Sequence, residues 1–97
     1  MGPMTDQPGD EFLRLEDLMG LTDQQIQMVL RDIDQADAVI GILEMSRELR
    51  NRVLANMSAR ARGLIQEDWA AMKGPPSAPE ALAARTKILR VANTVAP

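Results

Sequence analysis

Few side chains in this sequence could carry out acid–base or nucleophilic chemistry. Its 97 residues include no histidine and no cysteine. That removes a histidine general base, imidazole metal ligands, thiolate metal sites and any disulfide framework. Among what remains are fourteen carboxylates, which include the adjacent pairs Glu16-Asp17 and Glu67-Asp68. On a helix, sequence neighbours point about 100° apart, so neither pair makes a good catalytic dyad. No glycine-rich phosphate loop, calcium-loop spacing or Ser/His/Asp arrangement is present. The chain is therefore expected to be no enzyme and to need no metal or cofactor.

The charges are informative as surface features instead. The net charge of −3 is unevenly spread. Residues 1–46 hold ten acids against Arg14 and Arg31, whereas residues 47–62 hold Arg47, Arg50, Arg52, Arg60 and Arg62 against Glu48 alone. Such blocks point to a charged partner or to pairing between helices. For the arginine cluster we expect mainly internal balance against the acid-rich first three helices, with an acidic partner or a membrane surface as the other readings. A nucleic acid is not expected. The overall charge is acidic, and the arginines lack the interleaved aromatics that stack on bases.

The elements that must position these charges read as helices throughout. Nowhere does apolar–polar alternation persist over β-branched residues between turn glycines. A first helix is expected over about Asp10 to Met19, with Phe12, Leu15, Leu18 and Met19 on one face and a stop at Gly20. Thr22 and Gln25 form a capping box opening a second helix, with Ile26, Val29, Leu30 and Ile33 inward. Asp34 is the expected cap of a third, burying Ala38, Val39, Ile42 and Leu43, and Ser46 that of a fourth, carrying Leu49, Val53 and Leu54 to about Asn56. Ser58 starts a fifth running to Lys73, with Ala61, Leu64, Ile65, Trp69 and Met72 inward, and Gly74-Pro75-Pro76 prevents its continuation. Ser77 and Glu80 cap a last helix with Ala81, Ala84, Ile88, Val91 and Val95 at helical spacing.

The fold class expected is all-α, a compact bundle of about six short helices in one domain over residues 10–97, with residues 1–9 as a tail or expression remnant outside it. Phe12 and Trp69 are the only aromatics, so aliphatic side chains must build the core, and Trp69 is read as a core anchor. The seven methionines are scattered, which fits packing better than a methionine-lined groove. No apolar run approaches the ~20 residues of a membrane span and no secretory signal is visible, so direct membrane insertion is not expected and a cytoplasmic protein is the simplest reading.

Two stretches carry a family resemblance. One is Leu21-Thr22-Asp23-Gln24-Gln25-Ile26-Gln27-Met28-Val29-Leu30-Arg31-Asp32-Ile33-Asp34. The more specific one is Glu48-Leu49-Arg50-x-x-Val53-Leu54-x-Asn56-Met57-Ser58-x-Arg60-Ala61, continuing through Glu67-Asp68 to Gly74-Pro75. Both resemble the C-terminal domain of the FliG family, which forms the torque-bearing ring of the flagellar motor. Residues 12–19 are loosely similar to that domain's phenylalanine-rich hinge and first helix, and the likeness covers about residues 12–92. The resemblance implies a FliG C-terminal-like fold and protein partners, namely a cytoplasmic loop of the stator or other rotor components. It implies a place at the cytoplasmic face of the inner membrane, in the flagellar basal body. By motif matching, Arg60 falls on the family's helix arginine, and Glu67 and Asp68 on its acidic pair. These three are the candidate partner-binding residues. Arg47, Arg50, Arg52 and Arg62 form a candidate secondary basic patch.

The sequence departs from the family at two charged positions, with Leu43 where the family has a lysine and Ser77 where it has an arginine. Two of five torque-associated charges are thus replaced, and the family's ring-assembly and middle domains lie outside this sequence. The chain is expected to be an excised domain or a stand-alone relative. The alternative to a rotor domain is therefore a diverged FliG-like adaptor or regulatory module that keeps the helical fold without torque generation.

Overall fold

A computed structural model describes residues 11–95. The expected tail over residues 1–9 lies outside the described residues. Five α-helices follow a short 3-10 helix, Leu15–Gly20: α1 Asp23–Asp32, α2 Gln35–Leu43, α3 Arg47–Ala55, α4 Ala59–Ala71 and α5 Ala78–Val95. No strand occurs among the described residues.

Short polar side chains set most of the helix starts. The backbone N–H of Gln25 donates to the Thr22 hydroxyl at 3.1 Å, while the Gln25 side chain accepts from Thr22 N at 2.9 Å. Ser46 and Ser58 accept from Leu49 N and Ala61 N at 3.2 and 3.1 Å, and Ser77 and Glu80 bond each other reciprocally. Each such cap contributes about 1 kcal/mol. Asp34 is the exception, because its residue stands at the N-cap of α2 but its side chain makes no capping bond.

The first helix differs from the expectation of an α-helix over Asp10 to Met19. It is a 3-10 helix beginning at Leu15. Leu15, Leu18 and Leu21 recur every third residue and are all buried, which matches the three-residue period of that helix. Asp17 fixes the entry by accepting from Leu13 N and Arg14 N, both at 2.9 Å. Met19 is consequently turned outward, 43% exposed. The segment before the helix is clasped to α5, with Phe12 N donating to Asn93 Oδ1 at 2.7 Å and Asn93 Nδ2 donating to Phe12 O at 3.1 Å.

The core is one aliphatic cluster to which every helical element contributes, with Ile42, Leu49 and Ile88 at its most buried points. Its axis is the packing of α2 on α5. There Gly41 faces Ile88 so closely that a Cβ at position 41 would stand 2.1 Å from Ile88 Cδ1. An ion pair between Lys87 and Asp37, 3.4 Å long, closes the same interface at the surface. The α4 helix rests chiefly on α2.

Candidate functional site

The residues nominated from sequence lie mainly on α4, so the site begins with how that helix is held. Of its thirteen residues only Ile65 is buried. Trp69 is half-buried, and its indole N–H donates to the Val39 carbonyl of α2 at 2.8 Å. That gives a polar anchor to an otherwise apolar ring, as an aromatic with a polar handle commonly does. Met57 and Met72 pack against the core at either end of α4. The helix ends at Ala71 and not at Lys73, because Met72 is already extended (φ −70°, ψ 141°) and Gly74 follows at φ 151°, a conformation that favours glycine.

On the opposite side, Arg60, Glu67 and Asp68 are all exposed. Arg60 and Glu67 are seven residues apart, two turns along one face. Neither forms an ion pair among the described residues. Asp68 is less free, since its Oδ2 accepts from Gln35 Nε2 of α2 at 2.8 Å. Leu64, expected inward, is instead 38% exposed. It lies about 100° around the helix from Ile65 and one turn from both Arg60 and Asp68, which puts it within the charged face.

The arginine cluster is largely occupied within the fold. Arg50 donates to the carbonyls of Ile42, Leu43 and Met45 at 3.2–3.3 Å, tying off the C-terminal end of α2. Arg62 does the same for α3 through Leu54 O and Met57 O at 3.3 and 2.9 Å. Arg52 bonds Met19 O and Leu21 O and pairs with Asp23 at 3.1 Å. It is the one arginine of the cluster paired with an acid among the described residues, so the expected charge balance gives way mostly to carbonyl capping. Arg47 is exposed. Of the five, Arg47 and Arg60 alone make no hydrogen bond among the described residues.

The two tethers are built alike. Met45-Ser46 precedes Arg50 as Met57-Ser58 precedes Arg62, so a Met-Ser-x-x-x-Arg unit recurs after twelve residues. In each copy the serine caps a helix and the arginine four positions on binds carbonyls of the helix before it. The repeat is visible in the sequence, but charge counting alone does not register it.

The carboxylates that looked unsuited to catalysis have structural work. Glu16 accepts from both Ser46 N and Ser46 Oγ, at 2.9 and 2.6 Å, at the start of α3. Asp17 is held below its ordinary pKa by the backbone N–H groups of Arg14 and Leu13. Asp23 is lowered likewise, first by the Asn56 side-chain amide and then by Arg52. Ser77 lowers Glu80. Each is a case of hydrogen bonds stabilising the charged form.

At the positions departing from the family, Leu43 is half-buried at the end of α2, and Ser77 serves as the cap of α5. Within the run Asn56-Met57-Ser58-x-Arg60-Ala61, Asn56 bonds Asp23, Met57 O receives Arg62 and Ser58 caps α4. Arg60 is the polar residue of that run without such a role. The charges of α4 also run against its dipole: Arg60 stands in the first turn and Asp68 in the last, with no acid in the first turn and no base in the last.

The family model for the FliG C-terminal domain matches residues 5–96. The chain is similar to the flagellar motor switch protein FliG of Thermotoga maritima, at 34% identity over 76 residues, covering 78% of this chain and 22% of that protein. Against the protein of the same name from Pseudomonas aeruginosa it is 31% identical over 87 residues, covering 90% of this chain and 25% of the relative. The Aquifex aeolicus protein matches at 28% over 82 residues. The chain thus spans about a quarter of the length of these relatives. The family is one of structural motor switch proteins, which bears out the expectation of a non-enzymatic role. A model match over nearly the whole sequence, on an all-α fold, means that this chain belongs to the FliG C-terminal domain family.

Proposed function

We propose that this domain works in a flagellar rotor and docks on a cytoplasmic loop of the stator through the outward face of α4, passing torque through that contact. The observation that carries the reading is the placement of Arg60 and Glu67. They are exposed, two turns apart and unpaired among the described residues. Arg60, like Asp68 at the other end of the helix, occupies a position that opposes the dipole of α4. Unlike Asp68, which Gln35 holds, Arg60 and Glu67 make no side-chain bond among the described residues, and an external partner accounts for them. A contact made and broken repeatedly also calls for such charges, since exposed ion pairs contribute about 1 kcal/mol or less and act mostly on encounter and specificity. The site of action is the cytoplasmic side of the motor.

The test is Arg60→Glu in the cell that makes this protein. Swimming should fail while flagella still assemble. Normal swimming with normal protein levels would refute the proposal.

The second reading is an adaptor or regulatory module without torque generation, and Leu43 and Ser77 favour it. Neither carries charge, and the Ser77 side chain is already committed to capping α5. Affinity capture that returned a stable partner outside the flagellum, and no rotor or stator protein, would decide for the adaptor.

A further inference from the structure

Five large apolar side chains are exposed among the described residues: Leu13, Met19, Met28, Leu64 and Leu82. Leu64 is the one on α4, and it lies between the charges just described. From Arg60 to Leu64 is about 6 Å along the helix axis, and from Leu64 to Glu67 about 4.5 Å. The face therefore reads base, aliphatic, acid over two turns. Leu64 is not needed inward, because Ile65, Trp69 and Met72 already fill the contact with the rest of the fold.

We infer that this face recognises a helical segment of its protein partner bearing an acid, an aliphatic residue and a base in register, with Leu64 as the apolar centre of the contact. The inference rests on the docking reading above and adds the chemistry of the partner. Charge complementarity sets the order, with the partner's acid opposite Arg60 and its base opposite Glu67. Asp68 contributes less, being held by Gln35. A partner helix presents three such side chains on one face at positions i, i+4 and i+7. The arrangement also divides the labour. Rim charges exposed to water are screened by salt, whereas an aliphatic pair closed off from water by those charges is not.

The test uses the chain with two probes, the cytoplasmic loop of the stator and a synthetic helical peptide carrying acid, aliphatic residue and base at i, i+4 and i+7. Affinity is measured at about 0.05 M and 0.5 M salt, spanning weak to strong screening. Leu64→Ala should weaken binding about tenfold at both salt concentrations, as expected of a central interface residue. Leu64→Gln, which keeps the length of the side chain, should do the same. Arg60→Glu should lose most of its effect at high salt. Because Leu64 is exposed, circular dichroism should show the fold of both variants unchanged.

Binding unaffected by either Leu64 change, with Arg60→Glu still harmful, would overturn this inference and leave the docking proposal standing. Leu64-dependent binding to the peptide without binding to the stator loop would uphold the recognition chemistry and remove the stator as partner. Binding to neither probe would overturn both, as would a Leu64-dependent dimer of the chain itself in sedimentation.

Discussion

Replacing Gly41 by alanine probes the close approach of α2 and α5 at Ile88. The added Cβ would stand 2.1 Å from Ile88 Cδ1 and 3.6 Å from Ile88 Cγ1. Ile88 is only 1% exposed, so its terminal methyl has no solvent to swing into. Forcing a methyl into a packed core costs about 1–3 kcal/mol. Alanine in a helix interior recovers about 1 kcal/mol over glycine. The single variant should therefore lose about 0–2 kcal/mol, a sizeable part of a total stability of about 5–15 kcal/mol. A second substitution makes the test sharp. Ile88→Val deletes Cδ1 and keeps Cγ1, at a cost of about 0.5–1.5 kcal/mol by itself. In the double variant the two methyl changes offset each other, so its stability should lie near that of the parent. The coupling between the sites should be about 1–3 kcal/mol. Urea unfolding followed by far-ultraviolet circular dichroism, with an unchanged m value, measures all four proteins. Additivity within about 0.5 kcal/mol would refute the close approach of α2 and α5.

Further outcomes follow from the same structure. Arg62→Ala frees the carbonyls of Leu54 and Met57 and should destabilise the domain by about 1–3 kcal/mol, whereas Arg47→Ala should change stability by less than about 0.5 kcal/mol in the same urea assay. Trp69→Phe removes the indole bond to Val39 O, and hydrogen exchange should show faster opening of α4 than of α2 or α5. Arg60→Glu puts an acid in the first turn of α4 and should leave the isolated domain as stable as the parent or about 0.3–1 kcal/mol more so by urea unfolding, separating its effect on docking from any effect on folding. The acid limb of the stability curve should come from Asp17, Asp23 and Glu80, whose folded pKa values lie below their unfolded ones. Their contribution is complete above the unfolded values and is lost as pH falls through the folded ones. The chain has no histidine, so the melting temperature should be flat from about pH 5.5 to 8 and drop below about pH 4.

Much of this fold is written in local signals. Thr22 with Gln25, Ser46, Ser58 and Ser77 with Glu80 each announce a helix start by a side chain that reaches a nearby backbone N–H, and each makes that bond. Gly74-Pro75-Pro76 announces the end of α4. Where periodicity alone had to decide, it was less sufficient. The leucines at 15, 18 and 21 fit a helical face, but their strict spacing of three belongs to a 3-10 helix, and only the reach of Asp17 to Leu13 and Arg14 makes the difference visible. Leu64 looked inward because it adjoins Ile65, yet a helix lying on one neighbour buries a narrow stripe, and Trp69 and Ile65 fill it. The outward positions of Arg60 and Glu67 follow from helical spacing. That Arg50 and Arg62 are bound to carbonyls of the preceding helices depends on how successive helices turn at Met45-Ser46 and Met57-Ser58, which charge counting does not register.

Cross-linking in living cells addresses the docking of α4 most directly. The chain has no cysteine, so Ala71→Cys would place a single thiol on the same exposed face, two turns from Leu64, and leave Arg60, Leu64 and Glu67 intact. Met28→Cys places one on exposed α1 as a control. With a cysteine in the stator's cytoplasmic loop, the thiol at position 71 should yield a covalent rotor–stator product, and the thiol at position 28 should not. No product from position 71, or equal products from both positions, would contradict the assignment of this face to the stator.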